Sequence, residues 1–368
     1  MSIMRVRWGP QHPVSGQWAF WLDVDGDIVV NMEPDIGYTH RGIEKVAENR
    51  TYIQNVPVIE RTSVFDAGNI VFGYVQAVEE LMGIEIPERA KYIRTIVGEM
   101  SRIVSHLYGL GLLAIAVGFE TMLMWFINDR ELFLDLFEML TGARITYSFF
   151  IPGGVLHDLP QGFYDEAMRR LDYFERRLKD YWKMFFLNRT FITRTRGVGV
   201  LKREDAIRLG VVGPNLRASG VEADVRKDEP YAAYDQIDFI IPTEKEGDAY
   251  ARGGVRFHEL EQSVSIIRQA LQKIPDGKIR VKVPITPTPP KGEAYSRVET
   301  ARGEIGYYII SDGSDRPYRV KISAPSFRNL LAMPFLSRNV PMADIPTIYL
   351  SLDLIPLDAV SYTHLRAH

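Results

Sequence analysis

Two different spacings of apolar residues divide the chain into regions of predicted strand and predicted helix. Within the first 35 residues, apolar and polar side chains alternate through Trp18–Val30, and Asp25-Gly26 is a strong two-residue turn signal. From about Arg41 to Gly142 the spacing becomes helical, with Pro87 where a first helical turn accepts proline. We therefore predict an N-terminal β-hairpin followed by a helical core.

The second half of the chain continues with helices and returns to strands near its end. Apolar residues recur three and four apart over about 161–187, and a further helix is predicted over about 259–274. Val283–Pro290 contains too much proline for a helix or a central strand and indicates an extended linker. Beyond it, Glu304–Ile310 and Tyr318–Ile322 alternate like the two strands of a second hairpin.

These segments predict an α+β fold, mainly a helical core with a β-hairpin at each end. The predicted regions are an N-terminal β-hairpin region at 1–36, a helical core domain at 37–282 and a C-terminal β region at 283–356 that closes the fold. No internal repeat is present, which argues against a solenoid.

One apolar stretch raises the question of a membrane span. Leu107–Ile127 carries only Glu120 as a charged residue and is long enough to cross a bilayer. Gly109, Gly111 and Gly118 interrupt it, however, and it continues a one-sided apolar stripe of the preceding helix. We therefore favour a buried central helix over a transmembrane segment.

The composition excludes several classes of function. The 368 residues are 46% hydrophobic and 25% charged, as in ordinary globular proteins, and the net charge of −3 gives no basic surface for nucleic acid. The sequence contains no cysteine, so it cannot by itself ligate a nickel–iron centre or a cysteine-bound iron–sulfur cluster. No export signal is visible at the N-terminus, and a cytoplasmic location is the expectation.

Several long motifs carry a resemblance to a known family. The matching stretches are Gly9–Pro13, Asp35–Asn55, Val78–His106, Ile151–Gly154, Arg196–Val200, Leu216–Lys227 and Ala301–Phe327. Together they resemble the quinone-site (D) subunit of respiratory complex I, or NADH-quinone oxidoreductase, a relative of the large subunit of nickel–iron hydrogenases. Details at Gln11–Pro13 and Pro57–Ser63 resemble the archaeal branch of that family.

The resemblance implies a hydrogenase large-subunit-like fold and a role in a membrane-attached oxidoreductase. The chain would not be active alone and would bind no cofactor by itself. It would pack against an iron–sulfur small subunit that carries the terminal cluster, and contact an adjacent peripheral-arm subunit and a membrane-arm subunit. The two facing subunits would enclose a quinone, at the cytoplasmic face of the membrane, and link electron transfer to ion translocation.

The resemblance also selects candidate residues for the quinone cavity. Arg61 corresponds to an arginine beside the partner's iron–sulfur cluster, although a surface ion pair with Glu60 is the alternative. His12 lies in the first loop and either lines the cavity or packs within the loop. For His40 a structural hydrogen bond is the expectation. The candidates for the cavity are His12, Gln17, Arg61, Ser63, Val64 and Asp66.

The departures from the family leave the acceptor open. Where bacterial and mitochondrial members have a second histidine, the loop at 12–17 has none, and Val64 stands in place of their quinone-binding tyrosine. Ala116 and Thr146 replace an acidic residue and a histidine. Either Gln17, Ser63 and Asp66 hold a quinone in a rearranged site, or the acceptor differs.

Each of these three polar residues also has a structural reading: Gln17 and Ser63 can form ordinary hydrogen bonds, and Asp66 can cap a helix. The alternative function is a structural scaffold in a related ferredoxin- or F420H2-linked membrane complex whose quinone site is altered or lost.

Two further groups of polar residues need an interpretation. Glu99, Arg102 and His106 fall three and four apart on one helical face, and a buried, satisfied network is favoured over a proton path. The charged residues of Arg217–Lys227 are interpreted as loop anchors. The last residues, 357–368, and above all Val360–His368, do not resemble the family's ending and are predicted to be a foreign or disordered tail.

Overall fold

The computed structural model describes residues 3–12, 14 and 16–360. The strands are β1 Met4–Trp8, β2 Ala19–Asp25, β3 Ile28–Asp35, β4 Phe150–Ile151, β5 Gly154–Val155, β6 Gly292–Thr300, β7 Gly303–Ser311, β8 Arg319–Ser323 and β9 Val340–Pro341. The helices are α1 Ile43–Glu48, α2 Val56–Glu60, α3 Ala67–Met82, α4 Glu88–Ala116, α5 Glu120–Thr141, α6 Phe163–Tyr181, α7 Arg189–Thr195, α8 Arg203–Arg208, α9 Pro214–Arg217, α10 Val225–Asp228, α11 Ala249–Lys273, α12 Pro325–Leu330, α13 Ala332–Leu336, α14 Ile345–Leu352 and α15 Pro356–Ala359. The α+β prediction is confirmed.

The N-terminal hairpin forms as predicted and belongs to a larger sheet. Strands β2 and β3 pair antiparallel, with Asp25 opposite Ile28 across the turn. The sheet has four strands in the order β1-β2-β3-β9. The alternation buries Phe20, Leu22 and Val24 on one face. Strand β9 was not predicted because two residues carry too little pattern to be recognised.

The helical core is organised around α4, which packs against both α5 and α11. The apolar stretch 107–127 is divided between two helices, since α4 ends at Ala116 and Gly118 adopts a left-handed φ of 78° before α5 begins. Among the described residues no helix has both the length and the apolar character that crossing a membrane requires. The interpretation as a buried central helix is therefore confirmed for α4.

The two later helices differ in how well the pattern located them. Helix α6 and the π-helical turn that follows it, Trp182–Phe186, fill the predicted range. Helix α11 begins at Ala249, well before the predicted start at 259, because the Asp248 carboxylate accepts a hydrogen bond from the Ala251 backbone N–H and caps the helix. Gly253 and Gly254 within it weakened the sequence pattern.

The C-terminal strands form a three-stranded antiparallel sheet, β6-β7-β8. The predicted hairpin corresponds to β7 and β8, and β6 adds a strand that was not predicted. This sheet packs on α3, where Gly73 leaves room for the ring of Tyr307. The proline-rich linker 283–290 contains neither helix nor strand, as predicted.

The short C-terminal helices do not extend the C-terminal sheet. They pack under the N-terminal sheet in a second hydrophobic core that includes Phe20, Met333 and Ile348. Residues 357–360, which the prediction assigned to the tail, are packed: Asp358 and Ala359 are buried in α15. The His40 ring Nδ1 lies 2.8 Å from the Val360 carbonyl oxygen, which confirms a structural hydrogen bond for His40. Residues 361–368 lie outside the described residues, and the region boundaries at 36 and 282 stay predictions.

Candidate functional site

A cavity of about 280 Å³ lies where the C-terminal half of α4 meets the first loop of the chain. The turn Val64–Asp66 and the helices α14 and α15 complete its wall. Its lining is mostly apolar, as in small-molecule sites. The lining residues are Val14, Gly16, Gln17, Val64, Phe65, Tyr108, Leu112, Ile115, Tyr349, Leu350, Leu354, Ile355, Pro356 and Leu357.

Two tyrosines supply phenolic hydroxyls to this apolar lining. Tyr108 is half-buried and its ring stacks on Phe65, with the ring centroids 4.1 Å apart and the planes 12° from parallel. Tyr349 is 2% exposed and lies between the rings of Trp8 and Phe20, at centroid distances of 5.6 Å and 5.9 Å. Aromatic packing of this kind fixes the direction of each ring.

Both hydroxyls are protonated at neutral pH. Burial raises the pKa of Tyr108, and the negative charge of Asp353 raises it further. The same two causes, burial first, raise the pKa of Tyr349. A protonated phenol can donate a hydrogen bond. The cavity therefore combines an apolar wall with hydroxyl donors.

The structure places two of the six predicted residues in this lining, Gln17 and Val64. His12 lies outside it: its ring packs on Trp8 with centroids 5.0 Å apart, and its Nδ1 accepts a hydrogen bond from the Val14 N–H at 3.2 Å. Because Val14 is itself a lining residue, His12 supports the loop from behind.

Arg61 and Ser63 flank the cavity without lining it. Arg61 is exposed at the end of α2, and its Nη1 donates to the Pro57 carbonyl at 2.6 Å. The alternative ion pair with Glu60 does not form within the described residues, since the buried Glu60 carboxylate accepts from the backbone N–H groups of Tyr147 and Ser148. Ser63 is buried, and its hydroxyl has no hydrogen-bond partner in the described part of the chain.

Asp66 is a buried anchor behind the cavity. One carboxylate oxygen accepts from the Asn69 amide and the Ser101 hydroxyl, each at 2.8 Å, and the other accepts from the Ala301 N–H at 2.7 Å. It stands at the N-cap position of α3 but makes no capping hydrogen bond there. Burial raises its pKa, and Arg102 opposes that shift.

Sequence reasoning missed the residues that α4 and α14 contribute to the cavity, Tyr108 and Tyr349 above all. One sign was available: Tyr108 is a polar-tipped residue beside Gly109 in an otherwise apolar stretch. Tyr349 could not have been found this way, because only the fold brings the C-terminal helices against the first loop.

The segment Glu99–His106 of α4 joins a buried network of charges. The Arg217 guanidinium bonds Glu259 at 2.6 Å and Glu299 at 2.9 Å. Arg226 bonds Glu99 at 3.0 Å. Although burial alone would raise it, Arg217 holds the pKa of Glu259 well below its usual range. The favoured interpretation is confirmed as to a buried network, but the network is not fully satisfied, since Arg102 Nη1 and His106 Nδ1 have no hydrogen-bond partner among the described residues.

His106 joins this network as a neutral side chain. Its Nε2 lies 2.7 Å from a Glu259 oxygen. Burial lowers the pKa of His106 more than its hydrogen bond to Glu259 raises it. Because an ionised carboxylate only accepts, we assign the Nε2–H tautomer, which donates to Glu259. The charges of α9 and α10 likewise anchor their loop, as Arg226 bonds Asp224 at 2.6 Å.

Across the described ranges, no group of three or more histidine, aspartate or glutamate side chains is arranged to hold a metal ion. The candidate site is the cavity, and Asp66 and Glu99 are buried and hydrogen-bonded within the fold.

Comparisons with known proteins give one consistent result. The profile of the family described as "Respiratory-chain NADH dehydrogenase, 49 Kd subunit" matches residues 116–289 and 283–359. The chain is 44% identical over 353 residues to the D subunit of the NADH-quinone oxidoreductase of Clostridium beijerinckii, which covers 96% of this chain and 95% of that protein. The corresponding protein of Carboxydothermus hydrogenoformans is 45% identical over 348 residues, covering 94% and 95%.

A solved structure extends the likeness to three dimensions. A chain of the membrane-bound sulfane sulfur reductase, an archaeal respiratory membrane complex, superposes with a TM-score of 0.94 at 39% identity. The match covers 97% of this chain and 98% of that chain.

Proposed function

Because the chain belongs to the family of the 49 kDa subunit of respiratory-chain NADH dehydrogenase, which is the D subunit of NADH-quinone oxidoreductase, we propose that it forms one wall of a quinone-reduction cavity. The chain is a subunit of a complex I-like, multi-subunit membrane complex. We further propose that the facing wall is an iron–sulfur small subunit, that peripheral-arm and membrane-arm subunits adjoin it, and that it sits on the cytoplasmic face.

The observation that carries this proposal is the cavity between the first loop, the turn after α2 and the end of α4. Its apolar walls suit the ring of a quinone, and its few polar groups suit the ring's carbonyl oxygens. Bound quinone would accept electrons delivered from the partner's cluster. The residues of this chain would exclude water from the ring and orient it.

We propose that Arg61 acts across the subunit boundary. Its guanidinium is exposed next to the turn that carries Val64, and within the described residues it forms no ion pair with a carboxylate. A cation close to an iron–sulfur cluster favours the reduced, more negative state and raises the reduction potential. Arg61 therefore suits a position facing the partner's cluster.

The test is quinone reduction by the assembled complex carrying Gln17→Ala or Arg61→Ala. Gln17→Ala should weaken apparent quinone affinity, because it removes a polar group from the lining, and Arg61→Ala should lower the potential of the partner's cluster. Arg208→Ala is the matched control, since Arg208 is exposed on α8 and pairs only with Asp205 at 2.8 Å among the described residues. Unchanged quinone kinetics and cluster potential in both variants would move the acceptor site to another subunit.

A second candidate acceptor is a sulfane sulfur compound. It is favoured by the close match to the sulfane sulfur reductase chain and by the loss of the polar groups that bacterial members place around a quinone, here Val64, Ala116 and Thr146. The same purified complex should be assayed with quinone and with polysulfide. Activity with polysulfide alone would mean that the acceptor is a sulfane sulfur compound and not a quinone. Activity with neither would favour the scaffold role.

A further inference from the structure

A feature of the cavity distinguishes its two tyrosines. Tyr349 is almost fully buried and its hydroxyl lies against the first loop, 3.6 Å from where a Cβ on Gly16 would stand. Tyr108 is half-buried, and its hydroxyl makes no hydrogen bond to any residue that the structure describes. A phenol that lines an apolar cavity and has no internal partner is available to a ligand.

The surroundings hold Tyr108 in one orientation. Its ring stacks on Phe65 at 4.1 Å, and Phe65 lies in the turn Val64–Asp66 and lines the same cavity. Gly109, the next residue, lets α4 approach the Asp353 side chain, since a Cβ on Gly109 would stand 2.9 Å from its carboxylate. Preorganised donors cost little ordering entropy when a ligand binds.

Asp353 is fixed in turn. Its Oδ1 accepts from Arg302 at 3.2 Å, and its Oδ2 lies 3.8 Å from the Arg256 Nε. Its negative charge therefore stays close to the two phenols and opposes their ionisation. A hydroxyl kept protonated in this way acts as a donor and not as an anion.

We propose that Tyr108 is the hydrogen-bond donor that binds a carbonyl oxygen of the quinone, with Phe65 as its positioning residue. The inference rests on the proposed quinone site and assigns a residue to it. Tyr108 thus supplies from α4 a polar contact in a cavity where Val64 offers none.

The experiment compares Tyr108→Phe with Tyr164→Phe in the assembled complex. Tyr164 is an exposed tyrosine on α6, remote from the cavity lining, and serves as the matched loss of a hydroxyl. The probes are menadione and duroquinone. Their dissociation constants are measured on the oxidised complex, and the carbonyl stretching band of the bound quinone is recorded by infrared difference spectroscopy, so that the readout does not depend on turnover.

Tyr108→Phe should weaken the binding of both probes by about tenfold, which is the effect of losing one hydrogen bond. The bound carbonyl band should move to higher frequency, because the donor is gone. Tyr164→Phe should match wild type in both measurements. Wild-type affinity and band position in Tyr108→Phe would overturn the assignment of Tyr108.

A cavity-filling variant separates this failure from failure of the quinone site itself. Leu112→Trp, or Ile115→Trp if the first does not assemble, fills the cavity from α4, and Leu187→Trp places the same side chain at an exposed position. If Leu112→Trp abolishes probe binding while Tyr108→Phe leaves it unchanged, the site stands and the role of Tyr108 falls. If Leu112→Trp binds the probes like wild type, both fall.

Discussion

Two neighbouring segments of helix α4 use polar side chains in opposite ways. In the charged segment, Glu99–His106, the side chains of Glu99, Arg102 and His106 are fully buried and bonded to groups from distant parts of the chain. In the cavity segment, Tyr108–Ile115, Tyr108 and its apolar neighbours Leu112 and Ile115 line a cavity. One continuous helix therefore carries both a buried network of charges and the candidate binding site.

The difference shows why acidic and basic residues in this chain are a poor guide to its site. Where charges are paired inside the protein, removing one leaves its partners buried and unpaired, which is costly. Where a polar group has no internal partner, its loss affects only what binds from outside. Substitutions that break the network around Glu99–His106 should therefore lower stability, and substitutions in Tyr108–Ile115 should change ligand binding.

The largest loss of stability is expected from Arg217→Ala, in the buried network that contacts the charged segment of α4. The substitution leaves Glu259 and Glu299 buried without the guanidinium that bonds them at 2.6 Å and 2.9 Å. Breaking a buried ion pair from one side costs about 3–5 kcal/mol. We expect a matching loss in the free energy of unfolding, measured by denaturant titration of the purified chain.

The matched control for Arg217→Ala is Arg208→Ala, which removes an exposed arginine paired with Asp205. A surface pair contributes roughly 0–1 kcal/mol, so its variant should unfold close to wild type. Equal losses in the two variants would contradict the view that the buried network stabilises the fold more than surface pairs do.

A smaller loss of stability is expected from a substitution at Gly109, which follows Tyr108 in the cavity segment of α4. A Cβ there would stand 2.9 Å from the Asp353 carboxylate, which cannot retreat because Arg302 holds it. Overpacking of this kind costs about 1–3 kcal/mol. Gly109→Ala should therefore lower the midpoint of thermal unfolding.

The comparison for Gly109→Ala is Gly111→Ala on the same helix. Its added Cβ would meet the Cδ1 of Leu123 at 2.7 Å, which is the free end of a flexible side chain that can turn aside. Alanine is also the better helix former by about 0.5–1 kcal/mol, so Gly111→Ala should be nearly neutral. A greater loss in Gly111→Ala than in Gly109→Ala would show that Asp353 is not rigidly held.

The elements with a strong local pattern were predictable from sequence. The alternation through Trp18–Val30 located the first hairpin, and the spacing over 161–187 located α6. Strand β9 was missed because its two residues pair with β3, far away in the chain. Strand β6 was missed although its partner β7 follows directly after Ala301-Arg302. The start of α11 was placed too late because Gly253 and Gly254 interrupt the helical spacing.

The candidate site was predictable only in part, for the same reason. Gln17 and Val64, two candidates taken from the family resemblance, both line the cavity. Asp66 was nominated as one of three polar residues that could hold a quinone in a rearranged site, whereas its carboxylate accepts three hydrogen bonds from within the fold. Tyr349 joins the cavity through the packing of the C-terminal helices, which no local pattern encodes.

The smallest effect concerns a carboxyl group near the cavity wall, Asp358 in α15. Burial raises its pKa to about 7, and the nearby Ser326 and Arg302 only partly oppose this. Neither carboxyl oxygen has a hydrogen-bond partner among the described residues. Unlike Glu259, whose pKa Arg217 holds well below its usual range, Asp358 is therefore held largely uncharged below neutral pH.

The pH dependence of unfolding tests this contrast. Since the pKa is raised in the folded state, the folded chain binds the proton more tightly than the unfolded chain, and stability falls as the pH rises from about 4 through about 7. Asparagine cannot ionise, so Asp358→Asn should escape this loss of stability. The difference in the midpoint of thermal unfolding between Asp358→Asn and wild type should therefore be roughly a few degrees more favourable to the variant at pH of about 8 than at pH of about 6. The exposed Asp276→Asn should show no such change. A difference between Asp358→Asn and wild type that is the same at both pH values would mean that Asp358 is as fully charged as Glu259, and the contrast between the two carboxyl groups would be lost.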